Sequence, residues 1–231
     1  MLILQERRLS EEGECPYLPG RTSRFEYFFA HDLDGNDLER LLSTGWRKFG
    51  WYFFRPDCPG CKSCVPLRVP VAGFRPSKSQ RRVINKNMKT EVRFGALHHS
   101  HEIFSIYEEH SRDRFGRDPA FEDFLFNFYQ VSCPGVQSEY YRDERLLAVG
   151  FLDRSSRGLS SVYFIFRSEF AHHSPGIYSV LKEIELAGSL ALAYYYLGYH
   201  VKGCPRMEYK SGFNPHQRYS WDESRWVDAE R

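Results

Sequence analysis

No stretch of this chain is apolar for long enough to cross a bilayer. Its opening residues, MLILQERRLSEEGE, lack the basic, apolar and small-residue order of a secretory signal. These two absences lead to the expectation of a cytoplasmic protein with no membrane partner. A charge excess is missing as well: 32 Lys and Arg face 30 Asp and Glu, for a formal net charge of +2. That excludes the global polycation of a DNA-coating protein, so DNA is not an expected partner and any RNA contact must rest on a local patch. There is no internal repeat, no low-complexity segment, and no Ser-His-Asp or Cys-His arrangement for nucleophilic catalysis.

Aromatics, by contrast, are abundant: 19 Phe, 15 Tyr and 4 Trp among 231 residues. They suit a dense core, the commoner use, or a pocket for a nucleotide base. This length holds one large domain or two small ones without covalent staples.

The pattern along the chain changes near residue 88. Before it, Arg24–Ala30 and Trp51–Arg55 read as strands, with a short helix through Leu38, Leu41 and Leu42 between them. Val65–Val71 is extended, and Pro66 and Pro70 assign it to a sheet edge or an irregular path. After it, residues 100–131 read as two helices broken at Gly116–Pro119. Gln137–Arg142, Leu146–Asp153 and Gly158–Phe166 read as consecutive antiparallel strands. Gly176–Ala193 has helical periodicity, and Tyr194–Tyr199 reads as a buried strand. The expected fold is α+β: a small N-terminal α/β domain, 1–88, carrying the cysteine loop and a basic segment, then an acetyltransferase-like (GNAT) domain, 89–231. In such a core the helix after the central strands aims its free N–H groups at the acyl donor.

Six cysteines in a chain read as cytoplasmic argue against a disulfide framework. Cys58, Cys61 and Cys64 form a CxxCxxC run able to turn three thiolates toward one ion, with Cys15 the natural fourth by residue type. Zinc and an iron–sulfur cluster are both chemically sensible there, and three free thiols in a tight loop are the plainer alternative. Residues 74–89 carry Arg75, Lys78, Arg81, Arg82, Lys86 and Lys89 with no acid among them. Helical spacing places Lys78, Arg82, Lys86 and Lys89 on one face, as a phosphate-contacting surface or as a solvated one. His172-His173 reads as a surface turn.

The blocks CPYLPGR (15–21), GWRKFGWYFFRPDCPGCKSCVPLRVPV (45–71), FRPSKSQRRV (74–83), SSVYFIF (160–166), GIYSVLKEIELA (176–187) and YLGYHVKGCPRMEYKSGFNP (196–215) resemble, in order, those of the bacterial leucyl-tRNA–protein transferases, relatives of the eukaryotic arginyl-tRNA–protein transferases. The resemblance implies an aminoacyltransferase that moves Leu, as in the bacterial branch, rather than Arg, as in the eukaryotic one, from charged tRNA to an N-terminal Asp or Glu, creating an N-degron for proteolysis. It implies a GNAT-like catalytic half and a metal or cluster on Cys15 and the Cys58/Cys61/Cys64 group, although the eukaryotic members pair two adjacent cysteines instead.

Aminolysis of an activated ester needs alignment, a proton acceptor and oxyanion donors, and no resident cofactor. The expected donors are the backbone groups of Gly176, Ile177 and Tyr178. Tyr163, Glu183 and Tyr199 are expected to contact the α-amine or to handle the proton, and Arg206, Tyr209 and Lys210 to hold the acceptor's acidic side chain or the terminal adenosine. Lys78, Arg81 and Arg82 are expected at the acceptor stem. Two rivals stand beside this reading. A CoA-dependent N-acetyltransferase wants a glycine-rich pyrophosphate turn where this chain has SEFAHHSPG, and a metal-bearing RNA-binding module leaves the second half without a purpose.

Overall fold

A computed structural model describes residues 1–229. The chain opens with β1 (Leu2–Leu9), the short β2 (Gly13–Glu14) and β3 (Thr22–Ser23), then β4 (Phe25–His31). α1 (Gly35–Ser43), β5 (Arg47–Phe49) and β6 (Tyr52–Pro56) follow. Asp34 starts α1 because its carboxylate accepts from the N–H groups of Asn36 and Asp37, each at 2.8 Å. β1, β4, β6 and β5 make one antiparallel sheet in that order. Its apolar face and α1 bury Phe28, Leu38, Leu41, Leu42, Trp46 and Phe53, with Phe28 stacked on Phe53 at 5.1 Å. Cys133 and Tyr196, from much later in the chain, complete that core.

Then come β7 (Cys64–Pro70), α2 (Lys78–Lys86), β8 (Glu91–Gly95), α3 (His101–Phe115) and α4 (Phe121–Tyr129). β9 (Gly135–Arg142), β10 (Arg145–Arg154), β11 (Gly158–Phe166), α5 (Pro175–Ser189) and β12 (Tyr194–Val201) follow, and α6 (Pro205–Glu208), β13 (Gln217–Ser220) and β14 (Arg225–Asp228) close the described chain. Eight of these strands form a large mixed sheet ordered β14-β13-β7-β12-β11-β10-β9-β8. All neighbours are antiparallel except β11 and β12, which run parallel and are joined through α5, as a parallel pair requires.

Both faces of this sheet are covered. On one, Val180, Leu181, Ile184 and Ala187 of α5 meet Leu67, Leu152, Leu159 and Leu197. On the other, Ile103 and Ile106 of α3 and Phe124 and Phe128 of α4 meet Val149, Phe151 and Ile165. Phe151 and Leu152 are neighbours facing opposite layers, which is why β10 is apolar almost throughout. The fold is thus mixed α and β around a large mixed sheet.

Three expectations change. β7 is interior, between β12 and β13, rather than at an edge. It pairs with β12 from Cys64 to Pro70 but with β13 only at Leu67 and Arg68, so both prolines lie outside the β13 ladder. α2 starts on a capping box of Ser77 and Gln80 and ends at Lys86, which leaves Lys89 beyond the helical face. α5 ends at Ser189, short of Ala193. The large sheet also draws β7 from before the boundary expected at residue 88, and α2 packs beside α5.

Candidate active site

β11 and β12 pair only at Gly158 with Tyr194, Leu159 with Tyr195 and Ser160 with Tyr196. Beyond these pairs the strands part, while β11 runs on to Phe166 and β12 to Val201. Two facing sheet edges are thereby left without each other's donors and acceptors. Two cations enter the gap. Arg47, from β5 of the small sheet, donates from Nη1 to Ser160 Oγ at 2.8 Å and from Nη2 to the Ser161 carbonyl. Lys210 Nζ donates to the Tyr199 carbonyl at 3.0 Å on the opposite edge. Between them Gly198 holds φ at +81°, and a Cβ there would lie 3.5 Å from both Arg47 Nη2 and Lys210 Nζ.

Neither cation meets a carboxylate among the described residues; Asp153, the acid nearest Arg47, pairs with Lys48. Burial and then Arg47 pull the Lys210 ammonium down to about 7, and burial holds Arg47 below the usual arginine range.

Beneath the gap lies Glu183 of α5, 1 % exposed. Tyr195 donates its hydroxyl to one carboxylate oxygen and Ser138 donates to the other at 3.4 Å. The room is made by Gly150, where a Cβ would clash with Ser138 Oγ and lie 2.9 Å from Glu183 Oε1. Burial outweighs these donors and pushes the Glu183 carboxyl up to about 7. Among the described residues the buried Tyr140 hydroxyl beside it meets no partner in hydrogen-bonding geometry. Tyr209 keeps 40 % of its surface exposed, yet burial and then Glu183 lift its hydroxyl to about 12.

The other expected site residues separate. Tyr163 is half-buried in an aromatic cluster, stacked on Phe128 at 5.4 Å, and burial raises it to about 12. Tyr199 is a strut whose hydroxyl donates to the Gly45 carbonyl at 3.0 Å. Tyr178 is buried against Tyr140. The N–H groups of Ile177 and Tyr178 both donate to the Ser174 carbonyl at 3.1 Å, whereas Gly176 faces open space. Sequence reasoning did not single out Arg47, Ser138, Tyr140 or Tyr195. Arg47 lies in the GWRKFGWYFF block but carries no local mark of its role.

The sequence matches the family described as "Arginine-tRNA-protein transferase, C terminus" over residues 99–220 and its "N terminus" counterpart over 13–82. The aspartate/glutamate leucyltransferase of Campylobacter jejuni is 34% identical over 214 residues, 89% of each chain. That of Chromobacterium violaceum is 35% identical over 208 residues, 88% of this chain and 86% of its own. The chain belongs to the arginine-tRNA-protein transferase family. It is an aminoacyl-tRNA–protein transferase. Among solved structures, FemX aligns over 86% of this chain and 80% of its own at 9% identity, with a TM-score of 0.47.

In this transferase, α2 bridges the loop after α6 and the turn before α5. Gln80 donates to the Gly212 carbonyl at 3.2 Å, tying the helix start to the loop of Tyr209 and Lys210. Asn87 donates to the His173 carbonyl at 2.9 Å, tying its end to the turn before α5. His172 is exposed and His173 buried, so that turn is only half at the surface. Lys78, Arg81, Arg82 and Lys86 are exposed along the helix. A second basic feature lies where α3 ends: Phe115 is 46 % exposed, with Arg117 and Arg206 guanidinium groups 5.7 and 5.5 Å from its ring centroid.

The transferase's cysteines sit in facing loops. The Leu18 N–H donates to Cys15 Sγ at 3.4 Å, the Arg24 N–H to Cys58 Sγ at 3.4 Å, and the Arg21 guanidinium to Cys61 Sγ at 3.8 Å. Cys64 follows on β7, its thiol pushed by burial to about 12, with Cys58, Cys15, Cys61 and Cys204 all near enough to add to the shift. Among the described residues no three ligand-type side chains are drawn together as a ready ion site. N–H groups aimed at sulfur are nonetheless what thiolate ligands use, so the donor set fits a metal or cluster.

Proposed function

We propose that this transferase moves leucine from leucyl-tRNA onto the α-amine of proteins that begin with Asp or Glu, marking them for proteolysis in the cytoplasm. The leucyltransferase relatives, aligned over nearly nine-tenths of this chain, favour leucine over arginine. The observation that carries the chemistry is the opened edge between β11 and β12, with two unmatched cations in it and Glu183 below. We read the large sheet as an acetyltransferase-like core in which the tRNA ester replaces an acyl thioester.

The reaction is aminolysis. The acceptor's neutral α-amine attacks the ester carbonyl, the C–N bond forms, and the C–O bond to the terminal ribose breaks. The proton lost by the amine ends on the ribose hydroxyl. Because the ester is already activated, holding amine and carbonyl in line supplies much of the rate. Glu183, with a carboxyl near neutrality and Tyr195 and Tyr209 around it, is the group suited to relay the proton. The open position at Gly176 admits the donor's end close to the start of α5. The exposed face of α2, through Lys78, Arg81 and Arg82, meets the acceptor stem, and the Phe115 ring with its two arginines stacks an unpaired base of the tRNA 3′ end. Cys15, Cys58, Cys61 and Cys64 would hold a zinc ion or iron–sulfur cluster, whose part is to clamp residues 15–21 against the cysteine loop.

The test is transfer of labelled leucine and arginine from their tRNAs to peptides differing only in the first residue. Leucine should appear on Asp and Glu peptides. Arginine transfer alone would reassign the donor, and no transfer from either tRNA would overturn the function.

A further inference from the structure

Taking the gap between β11 and β12 as the place of transfer, we propose that Arg47 and Lys210 together receive the side-chain carboxylate of the acceptor's first residue, and that Arg47 decides between acidic and neutral acceptors. The two cations come from distant parts of the chain and converge on one point beside Gly198, within 3.5 Å of where a Cβ would stand. Among the described residues each hydrogen-bonds only to neutral oxygens: Ser160 Oγ and the Ser161 carbonyl for Arg47, the Tyr199 carbonyl for Lys210. Both side chains are half-buried, and a charge partly drawn from water with no salt-bridged carboxylate is costly, a cost that a ligand carboxylate offsets.

Donors remain available. A guanidinium has five N–H bonds and an ammonium three, and these hydrogen bonds use only part of each. A carboxylate, with two oxygens accepting from several directions, bridges two such cations. Gly198 matters for the same reason: any side chain there would occupy the ground in front of both. The pocket also lies beside the proton-handling group, since Arg47 donates to Ser161 and neighbours Tyr195, whose hydroxyl donates to Glu183. An acidic side chain anchored on the pair leaves its own α-amine only a few bonds away. A phosphate of the tRNA is the other anion that could sit here. On the reading above, the transferase meets phosphate with the exposed cations of α2, whereas Arg47 and Lys210 are half-buried and each hydrogen-bonded to the sheet edge.

The experiment compares leucine transfer to peptides beginning with Asp or with Asn, which match in shape and differ in charge. It uses the wild-type protein, Arg47→Ala, Arg47→Lys and Lys210→Gln, and measures tRNA affinity separately by filter binding. Arg47→Ala should lower the Asp-to-Asn ratio of kcat/KM by about ten- to hundredfold, with Arg47→Lys recovering part of it. Lys210→Gln should lower the ratio in the same direction, which keeps the test intact where Arg47→Ala does not fold. An equal fall on both peptides, or a loss of tRNA affinity with the ratio preserved, overturns the carboxylate pocket; the second result assigns the pair to phosphate. No transfer by the wild-type protein to any peptide overturns the transferase reading itself and is thereby told apart.

Discussion

Arg47 and Lys48 are neighbours on β5, and both are drawn away from water. Lys48 faces Asp153 at 3.0 Å, the two side chains 9 % and 7 % exposed. Burial pulls its ammonium down, but Asp153 more than restores it, and the group ends above the usual lysine value. Arg47 faces the other way, as successive strand residues do, and among the described residues it hydrogen-bonds only to the oxygens of Ser160 and Ser161, with Asp153 acting on it without a salt bridge. Burial alone therefore does not mark a functional cation. In the site proposed above, the lack of a salt-bridged carboxylate does.

The sharpest way to break this contrast is to remove each cation in turn. Lys48→Met strands the Asp153 carboxylate in the interior and should cost about 3–5 kcal/mol in urea unfolding. Arg47→Met removes a charge that had no partner, together with two hydrogen bonds to neutral groups, and should cost about 1 kcal/mol or less. Equal losses would mean that Arg47 is as structural as its neighbour.

Next in size is the pH dependence written into the site. Glu183 has a folded-state pKa of about 7 against an ordinary 4.5, so between these values the folded protein holds a proton that the unfolded chain has lost. Its contribution is fully present below pH 4.5 and is lost as pH rises through 7, a fall of ~3 kcal/mol for this one group. Glu183→Gln should flatten that slope in thermal melts taken from pH 4.5 to 7. Lys210 acts with the opposite sign. Its pKa is depressed from 10.5 to about 7, so stability recovers as pH rises from 7 toward 10.5. Lys210→Met should remove that alkaline rise and raise stability at pH 7 by ~1 kcal/mol, while lowering the preference for acidic acceptors as Lys210→Gln does. A melt unchanged by either substitution would show that the site holds no unmatched charge.

What could be read from sequence divides along the same line. α3, α4 and β9 to β11 were legible because turn signals and apolar periodicity are local. β7 was not: its prolines looked like edge markers, and only pairing with β12 and β13, more than a hundred residues later, makes the strand interior. Glu183, Tyr209 and Lys210 were named within ordered blocks; Lys210 meets Arg47 beside Gly198, and Glu183 acts on the Tyr209 hydroxyl. Tyr199 was named for chemistry but braces Gly45. Arg47 escaped because a cation without a partner has no sequence signature. Its isolation exists only once two strands have parted around it.

The smallest effect on stability should come from the basic face of α2, the extreme opposite of Lys48. Lys78, Arg81 and Arg82 are exposed, so their charges never left water. Changing all three to Ala should move the unfolding free energy by no more than ~0.5 kcal/mol, apart from the small loss of the Arg81 bond to the Pro76 carbonyl. The same change should weaken tRNA binding and lower the slope of log K against log salt by about 2–3, since a phosphate that no cation neutralises keeps its counterion. Filter binding across a salt series reads this directly, and Arg47→Ala is the control, expected to shift the slope by less than about 1. A triple variant that unfolds easily and binds tRNA normally would make α2 a structural helix. An Arg47 variant that loses slope as steeply would place the recessed cation on the nucleic acid, and the distinction between fixed and solvated cations would fail with it.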